Sequence, residues 1–77
     1  MQIVISPAQS RAARALLDAR LDGVAEKAGV GINTLARFEK EQRGKVSLDT
    51  AMKIADAYKA LGVEFMEGGV RIRPQAA

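Results

Sequence analysis

Residues 25–35 read Ala-x-x-x-Gly-Val-x-x-x-x-Leu, and no other stretch of the chain restricts its fold so strongly. Two short helices cross steeply through a tight turn only where the residues at their contact are small. Ala25 allows the close approach, and Gly29 is a natural residue to end the first helix in the left-handed conformation. Val30 and Leu35 then seal the corner. Ordinary helical hairpins carry the same spacing, so the flanking segments decide what it means.

Those segments are well punctuated. Ser6, Pro7 and Gln9 form an S-x-x-Q capping box with proline at the first helical position. They predict a helix over about 7–18, with Ala8, Ala12, Ala15 and Leu16 on its apolar face. A second helix over about 21–28 stops at Gly29. Its start is imprecise, because Arg20 is a poor N-cap, Asp18 and Asp22 are acidic alternatives, and Gly23 weakens the first turn. A third helix over about 32–40 is capped by Gly31 and turns Leu35 and Phe38 inward. Residues 41–46 are polar and contain glycine, as a loop does. Ser47 caps a fourth helix over about 48–61, with Leu48, Ala51, Ile54, Ala55, Tyr58 and Leu61 on one face and Gly62 at its end. The tail then changes period. Val63, Phe65, Val70 and Ile72 alternate with polar residues around Gly68-Gly69, predicting a hairpin with strands at about 63–66 and 70–73. Residues 2–5 are β-branched and extended in character, and are expected to add a strand to that hairpin, within the chain or across a dimer.

Composition narrows the function. A chain of 77 residues makes one domain, and at this length only about 60% of the unfolded surface is buried. With no cysteine and no histidine, disulfides and the common zinc sites are excluded. Stability must come from helix packing and association, so a homodimer is expected. Twelve Lys and Arg against nine Asp and Glu give a net charge of +3, which suits nucleic acid without proving it. No apolar run approaches the roughly 20 residues a membrane span needs, and the opening MQIVIS lacks a basic segment. A soluble cytoplasmic protein is the expectation. A glycine-rich phosphate loop is absent along with histidine and cysteine, so an enzyme is disfavoured. No metal, cofactor or small-molecule ligand is implied.

From Arg11 to about Phe65 the chain resembles the Cro/C1-type helix-turn-helix family of lambdoid phage repressors, also called the Xre family. RAARALL at 11–17, VAEKAGVGINTLARFEK at 24–40 and LDTAMKIADAYKALGVEF at 48–65 carry the resemblance. The tail GVEFMEGGVRIR looks like that of a bacterial subset of the family. The resemblance implies a mainly α fold, a compact four-helix lambda-repressor-like domain, which over residues 1–77 takes in the short C-terminal β-hairpin and the strand expected at 2–5 from the residues themselves. It makes Ala25, Gly29, Val30, Leu35 and Glu39 structural. It also implies a pair between Arg14 and Glu39 that locks the first helix against the third and aims Arg14 at a phosphate.

The same resemblance implies the contacts with double-stranded DNA. On the third helix the groove-facing positions fall on Gly31, Ile32, Asn33, Thr34 and Arg37. Asn33 suits adenine, Arg37 suits guanine, Ile32 suits a thymine methyl, and Thr34 reaches a base or a phosphate. Phosphate contacts are implied for Arg14, Arg20, the Gly31 N–H, Lys40, Arg43 and Lys45. The chain departs from the family at Leu21, where a glutamine is usual, and at Arg20, where a serine or threonine cap is usual. Leucine makes no hydrogen bond to a base, so Leu21 reads better as a packing residue. The expected function is a dimeric, autoregulating repressor, or repressor and activator, of bacterial or phage origin and on a mobile genetic element. Tyr58, Leu61, Phe65 and Met66 are the candidate dimer anchors. The competing reading is a protein-interaction module, an antitoxin or anti-activator, because Leu21, Gly31 and Ile32 make the reading face unusually apolar.

Overall fold

A computed structural model describes residues 5–40 and 46–74 of the chain. The elements run α1 (Pro7–Leu17), α2 (Leu21–Ala28), α3 (Ile32–Glu39), α4 (Leu48–Ala60), β1 (Val63–Met66) and β2 (Gly69–Ile72). Three helices stop one residue short of their expected ends, because Asp18, Lys40 and Leu61 are cap residues rather than helical ones.

The capping box that opens α1 forms in full. The Ser6 hydroxyl accepts from the Gln9 N–H at 3.0 Å, and Gln9 Oε1 accepts from the Ser6 N–H at 2.8 Å. Gln9 also does something the sequence did not announce. Its Nε2 donates to the carbonyls of Met66 at 2.7 Å and Gly69 at 3.0 Å, which fastens the hairpin turn to the start of α1. Both α1 and α2 end in the same motif, with Ala19 N–H donating to the Arg14 carbonyl and Val30 N–H to the Ala25 carbonyl. The left-handed residue is Gly29 in α2 but Asp18 in α1, at φ 53°, a conformation aspartate tolerates better than most residues.

The expected apolar face of α1 is not the buried one. Ala8, Ala12, Ala15 and Leu16 are exposed, Leu16 by 52%, whereas Pro7, Ser10 and Ala13 are buried and Leu17 packs against the core. Alanine buries little apolar area, so the alanines at 8, 12 and 15 say little about which face turns inward. The rotation of α1 is set instead by Ser10, a polar residue buried because its hydroxyl is hydrogen-bonded. In α4 the central positions Ala51, Ile54, Ala55 and Tyr58 are buried as expected, joined by Ala57, while Leu48 and Leu61 at its two ends remain exposed. An apolar stripe fixes which face turns inward, not how far along the helix the cover reaches.

The hairpin pairs Val63 with Ile72, Glu64 with Arg71, Phe65 with Val70 and Met66 with Gly69, antiparallel. The turn is therefore Glu67-Gly68 rather than Gly68-Gly69. Gly68 alone supplies the positive φ, at 73°, and Gly69 is a strand residue. Of the expected strand at 2–5, residues 2–4 lie outside the described residues. Ile5 is in no strand, and its side chain is buried in the core with Ala13, Val24, Leu35, Phe38, Ile54, Tyr58 and Val63. The β2 strand leans on α1, β1 on α4, and α2 on both α3 and α4.

The rotation of α1 is testable. Ala12→Leu, on the solvent side, is expected to shift unfolding free energy by no more than about 0.5 kcal/mol. Ala13→Leu overpacks the core and is expected to cost about 1–3 kcal/mol by urea denaturation. The reverse order would restore the face expected from the alanine pattern.

Candidate nucleic-acid interface

The site is built on α3. It starts at Gly31, whose φ of −70° and ψ of 148° are ordinary extended backbone, and no side chain caps it. A Cβ on Gly31 would meet only Thr34 Oγ1, at a comfortable 3.7 Å, so neither sterics nor backbone conformation demands glycine there. Leu35, Phe38 and Glu39 point into the molecule. With 3.6 residues per turn, the outward ridge opposite them is Asn33, Arg37 and Lys40, at i, i+4 and i+7, and all three are exposed. Ile32 and Ala36, one turn apart, form the shoulder of that ridge. Among the described residues, neither Arg37 nor Lys40 enters an ion pair, and Asn33 makes no side-chain hydrogen bond.

Behind the ridge, α3 is anchored by the carboxylate of Glu39, which is only 5% exposed. Arg14 Nε lies 3.1 and 3.0 Å from its two oxygens, and Arg14 Nη2 donates to Oε1 at 2.6 Å. The Ser10 hydroxyl donates to Oε2 at 2.5 Å and lies 2.8 Å from the Tyr58 hydroxyl. Tyr58 also donates to the Ser10 carbonyl at 3.1 Å, and Arg11 donates to the Glu39 carbonyl. One carboxylate thus gathers groups from α1 and α4 onto α3. The hydrogen bond to Glu39 raises the Arg14 guanidinium above its usual range. Burial pushes the Tyr58 hydroxyl up from 10.0 to about 12.

The remaining predicted residues divide clearly. Arg14 reaches Glu39 as expected, and two of its three guanidinium nitrogens are committed there. Arg20 is exposed and pairs with Asp22 at 3.2 Å, which holds the Asp22 carboxyl below its usual range. Thr34 is half-buried. Leu21 is half-buried beside Ala36, in a depression bordered by Arg11, Arg14 and Lys40, as a packing residue would be. Arg43 and Lys45 lie outside the described residues. Ala25 and Leu35 are buried, with Val30 packed against them, so the corner of α2 and α3 is closed as its spacing predicts. Tyr58 must be withdrawn as a dimer anchor, because its ring is fully buried and its hydroxyl is used within the chain. Phe65 is half-buried and meets Tyr58 edge-on at 5.9 Å, while Leu61 and Met66 are exposed. Sequence reasoning missed Ser10 and Arg11, and the second role of Gln9 at the hairpin turn. The one usable signal was that Ser10 and Arg14 are four residues apart, on one face of a helix.

A family model described as helix-turn-helix matches residues 11–65, which run from the first turns of α1 to the middle of β1. The chain belongs to the Cro/C1-type helix-turn-helix family. Members of this family are DNA-binding transcriptional regulators, and α2 and α3 are the two helices of the motif in this one. Comparison with curated proteins and with solved structures finds no match. No helix among the described residues is long and apolar enough to cross a membrane.

Two measurements check the anchor. Arg14→Ala strands a buried carboxylate and is expected to cost about 3 kcal/mol of stability, more than the 0–1 kcal/mol of an exposed pair. A loss within that lower range would show Glu39 to be hydrated. Tyr58 is the single tyrosine, so tyrosinate absorbance reports on it alone. Since its folded pKa is raised, its contribution is intact below pH 10.0 and is lost as pH climbs toward about 12. Ionisation is expected near the upper value in the folded protein, and Tyr58→Phe removes this component of the alkaline instability.

Proposed function

We propose that this Cro/C1-type protein is a homodimeric transcriptional regulator that reads a pseudo-palindromic operator through the major groove and represses its own synthesis. The observation that carries the reading is the ridge of Asn33, Arg37 and Lys40, exposed and, among the described residues, without an ion-pair or side-chain hydrogen-bond partner, on a helix fixed from behind by Glu39. The Asn33 amide suits adenine and the Arg37 guanidinium suits guanine, each by a bidentate pair. Thr34 adds a base or phosphate contact beside them. Lys40, Arg20 and the Gly31 N–H serve as phosphate contacts, with Arg43 and Lys45, which follow Lys40 in the sequence, as further ones and Arg14 orienting α3. Two copies set α3 helices in grooves about 34 Å apart, one turn of duplex. Exposed Leu61 and Met66, with half-buried Phe65, are the side chains offered to the second copy. Occupying its own promoter makes such a protein a repressor, with its concentration as the input.

Anisotropy titration of labelled DNA from upstream of the gene tests this directly. Affinity is expected to fall about 10³-fold between about 50 and 200 mM salt, as several neutralised phosphates require. Arg37→Ala is expected to weaken specific binding by about 1–3 kcal/mol. Binding no tighter than a nonspecific 10⁻⁴–10⁻⁶ M would overturn the reading in favour of a protein-contact surface. Sedimentation at micromolar concentration is expected to show a dimer, shifted toward monomer by Met66→Glu.

A further inference from the structure

We infer that the groove along the outer edge of β1 is a docking site for an acidic, extended segment of another protein, one that alternates carboxylates with apolar side chains. All four residues of β1 line this groove, together with Lys59 from the last turn of α4 and with Arg71 and Arg73 from β2 and just beyond it. Side chains of a strand alternate between its faces. A groove lined by Val63 and Phe65 as well as by Glu64 and Met66 therefore follows the edge of β1 rather than one face of the hairpin. The backbone along that edge has hydrogen bonds to offer. Arg73 N–H donates to the Gly62 carbonyl at 2.6 Å, which makes these two a bonded pair of the ladder. Bonded and non-bonded pairs alternate, so Phe65, opposite Val70, turns its N–H and C=O away from β2. Among the described residues those groups have no other backbone partner. Val63 is turned the same way but is buried, so Phe65 is the point of entry. An unpaired strand edge of this kind accepts an extended segment.

Charge selects the occupant. The groove holds three cations against one carboxylate, Glu64, which Arg71 already takes up at 2.6 Å. Lys59 and Arg73 are exposed and, among the described residues, enter no ion pair. Between these cations lie half-buried Phe65 and Met66, the latter 45% exposed. A phosphate backbone would use the cations and leave the apolar floor idle. A wholly apolar segment would dry the groove around Lys59 and Arg73 without pairing them, which is costly. A second copy brings the same excess of positive charge. An acidic segment with alternating apolar residues meets both demands, because successive side chains of an added strand point to opposite sides. Phe65 and Met66 also belong to the surface offered to the second copy above. On that reading the segment and the second copy exclude one another, and the partner becomes an input to operator binding. This consequence rests on the dimer reading, whereas the docking itself does not.

Fluorescence anisotropy of the whole protein with a short labelled peptide alternating glutamate and leucine tests the docking. Exchanging its glutamates for lysine is expected to abolish binding, and exchanging one buried leucine for serine to weaken it at least about tenfold. Lys59→Gln and Arg73→Gln change exposed side chains and are expected to leave circular dichroism unaltered. Each is expected to weaken peptide binding by up to about fivefold, and the double variant by the product of the two. Equal affinity for the glutamate and lysine peptides, or unchanged affinity in the double variant, overturns the assignment. So does a short oligodeoxythymidylate that binds more tightly than the peptide and loses that affinity in the double variant, since the groove is then a nucleic-acid contact. Saturating peptide is expected to shift the dimer toward monomer in sedimentation, and a dimer that persists overturns the mutual exclusion. A protein that is monomeric without peptide and still binds it removes the dimer reading while supporting the docking.

Discussion

The carboxylate of Glu39 is where α1, α3 and α4 are joined, and the orientation of the reading helix depends on it. Burying a charge costs several kcal/mol unless geometry and hydrogen bonds offset it. Here a forked guanidinium contact from Arg14 and a hydroxyl from Ser10 supply that offset, with Tyr58 backing the serine. The arrangement is specific in a way an apolar contact is not. A rotation of α3 that moved Glu39 by a few tenths of an ångström would lengthen several short hydrogen bonds at once. The closed corner at Ala25, Val30 and Leu35 sets where α3 lies against α2, and Glu39 sets how it is turned.

This division explains which parts of the structure were legible in the sequence. Punctuation was readable because it is local: the Ser6 and Gln9 box, the Ser47 cap and the Gly29 stop act within a few residues of themselves. The ridge of α3 was readable because Leu35 and Phe38 fix its phase, and the exposure of Asn33 and Arg37 follows from helical period. The rotation of α1 was not. Its alanines bury too little area to mark a face, and the residue that decides is a serine, buried through partners 29 and 48 positions away. The pair of Arg14 with Glu39 came from family resemblance alone, and nothing in the spacing announced that Tyr58 would complete it. The turn slipped by one residue because either glycine of Gly68-Gly69 can take a positive φ. The carbonyls of Met66 and Gly69, held by Gln9, pin the register that was adopted.

Anchoring from behind also accounts for the unusual face in front. None of Ile32, Asn33 or Arg37 is needed to hold α3 in place, so side chains there can change without loosening the fold. Gly31 makes the same point in reverse, since a side chain fits there without strain and the residue is free to be chosen for what the surface must approach. Leu21 is the exception. It is half-buried and packed against the core, in a depression shared with Arg14 and Ala36. A polar residue there would have to find a partner at the edge of the Glu39 network or remain partly desolvated, which costs about 1–3 kcal/mol. Leucine avoids that cost. The departure from the usual glutamine thus completes the packing of α2 on α3 without adding a partly buried polar group at the edge of the Glu39 network.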